Sequence, residues 1–84
     1  MSPKPIPKNL GPKIRSIREW KGLTMDEMAD LLGKKDVSRR SRVHEWEKGI
    51  RMPDYLAILA YASIANITVE VLLNDSLELD LPPK

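Results

Sequence analysis

The chain has 84 residues, no cysteine and a formal net charge of +2. That length makes one domain, large enough to bury a small core unaided. The absence of cysteine excludes a disulfide framework, a thiolate metal site and a thiol nucleophile. The charge is polarised along the chain. Residues 1–22 hold six Lys/Arg against one Glu and residues 34–52 seven against three acids, whereas residues 53–84 hold five acids against one Lys. No basic leader precedes an apolar run, and no apolar stretch approaches the ~20 residues of a membrane span. A cytoplasmic protein without a membrane anchor is expected.

The opening MSPKPIPK has three prolines and no periodicity, so residues 1–8 read as a flexible Pro/Lys-rich arm. A first helix is predicted from Asn9 to about Lys21, with Asn9 as N-cap, Pro12 tolerated in the first turn, and Leu10, Ile14 and Ile17 on one face. Gly22 ends it. Thr24 and Glu27 form a capping box for a second helix, whose Met25, Met28, Ala29 and Leu32 repeat at i, i+3, i+4 and i+7 and read as core. After the polar turn KKDVS, Ser38 caps a third helix from Arg39 to Lys48. Val43, Trp46 and Glu47 share its inner face, Arg40, Ser41, His44, Glu45 and Lys48 its outer face, and Arg42 the border. Asp54 caps a fourth helix, YLAILAYASIA, which is apolar almost all round; it is therefore central or carries a second face for a partner. Thr68 caps a short fifth helix, VEVLL, and residues 75–84 form an acidic, leucine-bearing tail. In that tail Leu77, Leu79 and Leu81 share one side, either to meet a partner or to fold over their own core.

The residues make a poor catalytic set. His44 has Ser41 at i−3, but no orienting acid and no oxyanion site accompany the pair. No Gly-rich phosphate loop appears, and a single His leaves no metal-ligand spacing. No enzyme activity, cofactor or metal is expected. Two short helices joined by a tight turn, the second basic and polar outside, have instead the layout of a helix-turn-helix. The DNA major groove admits one α-helix. Arg40 and Arg42 can offer paired donors to guanine, Ser41, His44 and Glu45 can bond base edges or phosphates, and Lys48 and Arg51 are placed for phosphate. The other reading of these residues is a surface helix whose charges pair with Glu45 and solvent.

From about Lys13 to Asn74 the sequence resembles the lambda-repressor-like, Cro-type (XRE family) helix-turn-helix domain. The strings that carry the resemblance are IRSIREWKGLTMDEMADLLG, RVHEWEKGIRMP and LAILAYASIANITVEVLLND. Arg18, Gly22-Leu23-Thr24, Leu32-Gly33, Val43, Trp46-Glu47, Gly49, Arg51 and Pro53 fall on matching positions. The resemblance implies an all-α, compact bundle of five short helices spanning 9–74. It implies an ion pair between Arg18 and Glu47 that orients helix three, with Val43 and Trp46 in the core and Trp20 in a packing role. It places base reading at Arg40, Ser41, Arg42, His44 and Glu45. Phosphate contacts fall at Thr24, Lys48, Arg51 and the backbone of Ile50. Two departures stand out. Met25 replaces a common glutamine that anchors a phosphate and helix three. The stretch from Gly33 to Glu47 is longer than usual, so KKDVSRR either lengthens helix three at its start or forms a basic loop. Either way Lys34, Lys35 and Arg39 come near the backbone of a bound duplex.

The sequence therefore leads us to expect a double-stranded-DNA-binding transcriptional regulator, a repressor acting as a homodimer. The alternative is an antitoxin or bridging cofactor whose main partner is a toxin or the transcription machinery.

Overall fold

The computed structural model describes residues 6–34 and 37–83. Five α-helices follow in order: α1 (Leu10–Lys21), α2 (Met25–Leu31), α3 (Arg39–Glu47), α4 (Tyr55–Ala65) and α5 (Val69–Leu73), with no strand among the described residues. The arrangement is the all-α bundle expected from the sequence. Helix α1 is the central element and packs against α3, α4 and α5, while α2 packs on α3 and α4 on α5.

The core follows the helical periodicity. Leu10, Ile14 and Ile17 of α1 are fully buried with Met28 and Ala29 of α2, Val43 and Trp46 of α3, and Leu72 of α5. Helix α4 contributes Ala57, Ile58, Tyr61, Ala62 and Ala65. Met25 is half-buried and packs against this core. Burial pushes the Tyr61 phenol well above its usual pKa.

The helix ends fall where the sequence places them, but not every cap works as expected. Thr24 and Glu27 form the reciprocal capping box, and Asp54 accepts from the Ala57 N–H at 2.8 Å. Ser38 and Thr68 occupy cap positions without a side-chain cap bond. Asn9 likewise makes no cap bond. Its backbone N–H donates instead to the Asp75 carboxylate at 3.0 Å, beside that of Lys8 at 2.9 Å. These two bonds hold the Asp75 carboxyl below its usual pKa, the one from Asn9 most.

Asp75 begins a second connection that the periodicity did not reveal. Lys13 is 6% exposed, and its ammonium donates to the carbonyls of Val71 (2.7 Å), Asn74 (3.1 Å) and Leu77 (2.7 Å). Two of these lie at the C-terminal end of α5, where carbonyls lack helical partners and a cation is favoured. The tail then runs alongside α1 in the same direction, and Trp20 Nε1 donates to the Pro82 carbonyl at 2.7 Å. Leu79 and Leu81 pack onto the core. Of the two roles open to the tail, the structure has it folded over its own chain.

Helix α1 also approaches α3 closely. A Cβ on Gly11 would lie 2.5 Å from the Glu47 carbonyl oxygen. Alanine ordinarily gains about 1 kcal/mol over glycine inside a helix. Here the clash is with backbone, so Gly11→Ala is expected to destabilise the fold by about 1–3 kcal/mol, measured as a lowered urea midpoint.

Candidate nucleic-acid interface

Helix α3 has a sharply divided surface. Val43, Trp46 and Glu47 are buried, whereas Arg40, Ser41, His44 and Lys48 are exposed and Arg42 and Glu45 half-buried. The inner residues fix the pose. Arg18 Nε and Glu47 Oε2 are 2.6 Å apart and Nη2 reaches Oε1 at 3.1 Å, a two-point pairing of guanidinium and carboxylate. The Arg18 Nη1 donates to the Leu23 carbonyl at 2.8 Å, so one side chain joins α1, the turn before α2, and α3. The side chains of the pair are only 11% and 2% exposed. Its hydrogen bond to Glu47 raises the Arg18 pKa above its usual value.

Both ends of α3 are tied to neighbouring elements. At its start, Arg39 pairs with Asp30 of α2 at 3.1 Å, and in the turn before it Lys34 pairs with Asp54 at 2.8 Å. The hydrogen bond from Lys34 holds the Asp54 carboxyl below its usual range, with the Ala57 N–H adding to the effect. After it, Gly49 adopts φ +74, a left-handed conformation that favours glycine. The chain there reverses so that the Ile50 N–H donates to the Glu45 carbonyl at 2.9 Å. That amide, expected to meet a phosphate, is thus used inside the protein. Arg51 turns back toward Glu45, 3.6 Å away.

The structure brings Arg40, Ser41, His44 and Lys48 onto one exposed stripe and keeps Arg42 and Glu45 at its edges. Lys34, Arg39 and Arg51 lie at the two ends of the same helix, each already ion-paired. Thr24, at the start of α2, is exposed, with its hydroxyl accepting from the Glu27 N–H at 3.1 Å. Lys35 lies outside the described residues. Sequence reasoning missed Lys13, whose place three residues after Leu10 and four before Ile17 put it on the buried side of α1.

A model of the Helix-turn-helix family matches residues 14–72. The chain belongs to that family. It is a DNA-binding regulator of the lambda-repressor-like type, and the family is regulatory rather than enzymatic. The match spans α2 and α3, the helix-turn-helix pair, together with α4 and most of α1 and α5. No curated protein and no solved structure matches the chain. Among the described residues no helix is long and apolar enough to cross a membrane.

In this helix-turn-helix chain Arg18→Ala leaves Glu47 buried without its cation. The expected result is a loss of about 3 kcal/mol of folding stability, seen as a lower thermal and urea midpoint. An unchanged midpoint removes the pair from its anchoring role.

Proposed function

We propose that this protein is a sequence-specific double-stranded-DNA-binding repressor that acts in the cytoplasm as a homodimer, with α3 in the major groove. The observation that carries the reading is the division of α3. A buried apolar face and an ion pair hold it to the bundle, while its opposite face offers cations, a hydroxyl and an imidazole to solvent. Arg40, Ser41, Arg42, His44 and Glu45 read base edges. Thr24, Lys34, Lys35, Arg39, Lys48 and Arg51 meet phosphates, which fix register without reading sequence. For Lys34, Arg39 and Arg51 a phosphate replaces the carboxylate partner each now has. The protein supplies no cofactor to the contact; recognition is hydrogen bonding and charge.

Arg40→Ala or Arg42→Ala is expected to cost about 1–3 kcal/mol on the preferred duplex and to relax preference at one position. Lys48→Ala is expected to weaken all duplexes alike and flatten the salt dependence. Selection from a random duplex pool followed by titration reads both. Equal losses on specific and random DNA for every α3 variant overturn base reading.

The apolar surface supports the dimer. Met52, Pro53, Tyr55, Ile58, Leu59, Val69 and Leu73 line a recess of about 310 Å³ between α4 and α5, and Tyr55, Leu56 and Leu59 are largely exposed. A twofold contact makes one patch serve both copies, so the exposed side chains of each seat in the recess of the other. Two half-sites ~34 Å apart then double the base contacts of a small domain. Sedimentation of Leu59→Lys is expected to show weakened self-association, with the fold intact because Leu59 is largely exposed. A chain that stays monomeric at every concentration, and on DNA, overturns the dimer. It would leave this face to a different protein, as in an antitoxin or a bridging cofactor.

A further inference from the structure

The ion pair between Asp30 and Arg39 has its charges the wrong way round for folding. Asp30 stands in the last turn of α2, where unpaired carbonyls carry partial negative charge and disfavour a carboxylate. Arg39 is the first residue of α3, where free N–H groups carry partial positive charge and disfavour a guanidinium. A cation at position 30 facing a carboxylate at position 39 would make the same link and suit both helices. Stability therefore explains a pair at this place but not its polarity.

The polarity has a use at an anionic surface. It leaves the cation on α3, the helix proposed for the groove, and the carboxylate on its neighbour α2. Lys34, in the turn between these helices, repeats the arrangement, with its partner Asp54 at the start of α4. Neither pair is sealed. The side chains of Arg39 and Asp30 are 35% and 59% exposed, and those of Lys34 and Asp54 23% and 45%. A phosphate can thus reach each cation, but only beside a carboxylate that stays close. Each pair is neutral as a whole, so neither cation adds to the field that draws a polyanion in from a distance. At the cation itself, a phosphate meets a like charge about 4 Å away, which water screens only in part.

We propose that Asp30 and Asp54 are intramolecular competitors of the DNA phosphates for Arg39 and Lys34, and so limit the affinity for every duplex. The proposal rests on the DNA-binding reading above and goes beyond it, because residues that touch no nucleic acid set the strength of the contact. Phosphates are the same in every sequence, so the restraint acts equally on a preferred and an arbitrary duplex.

The test titrates Asp30→Asn and Asp54→Asn, each in the full chain, with the selected duplex and a random one across a range of salt. Asparagine keeps the size of the side chain, and at position 54 it keeps an oxygen to cap the Ala57 N–H. Each variant is expected to bind both duplexes about fivefold more tightly at low salt, the worth of removing one like charge at that distance, with a steeper salt dependence. Thermal midpoints are expected to move little, because exposed pairs contribute little to stability. Glu78→Gln makes the same change in net charge from the tail, where Glu78 lies by Pro12 and Ser16 rather than on the Gly11 and Arg18 side of α1 that faces α3. It is expected to bind as wild type does. Adding Asp30→Asn to Arg39→Ala is expected to bring little gain. Weaker or unchanged binding by either aspartate variant overturns the proposal for that carboxylate, making it a clamp that poses its cation, while DNA binding stands. An equal gain in Glu78→Gln, or in the absence of Arg39, reduces the effect to net charge and overturns it as well. Failure of wild type and every variant alike to bind duplex removes the DNA-binding reading itself.

Discussion

The approach of α1 to α3 is the contact on which the rest of the structure depends. Gly11 lets the two backbones meet, and a few residues further along Arg18 grips Glu47 with two bonds. A surface ion pair would do little here, because solvent weakens it and side-chain entropy opposes it. This one is nearly dry, so either partner alone would be a buried charge, and the geometry that satisfies both is narrow. The same guanidinium holds the Leu23 carbonyl, which sets where α2 begins. Helix α3 is thus located by its inner residues, while Arg40, Ser41, His44 and Lys48 on its outer side stay exposed.

Much of this was legible in sequence because helices announce themselves locally. Thr24 and Glu27 mark a helix start that tertiary context does not alter, and Val43 and Trp46 keep the spacing of a buried face. What was not legible depends on partners far away in the chain. Asn9 looks like a cap, yet Asp75 lies close enough to take its backbone N–H. Lys13 reads as one more front-end cation, yet it closes the carbonyl end of α5. Both surprises involve hydrogen bonds between residues some 60 apart, which no periodicity encodes. The bond from the Ile50 N–H to the Glu45 carbonyl was not legible for a local reason, the reversal at Gly49.

Three of the cations around α3 already face carboxylates: Lys34 with Asp54, Arg39 with Asp30 and Arg51 with Glu45. Exposed pairs of this kind contribute little to stability. The carboxylates also mute the positive field at both ends of the helix.

The hydrogen bonds between Asp75 and residues 8 and 9 have a further meaning. They join residues up to 67 positions apart, with Lys13 and Trp20 fastening the returning segment along the first helix. Chain ends ordinarily loosen first and independently. Here the beginning of the helical unit and the segment that follows it are the same seam. Loosening either segment therefore removes partners from the other.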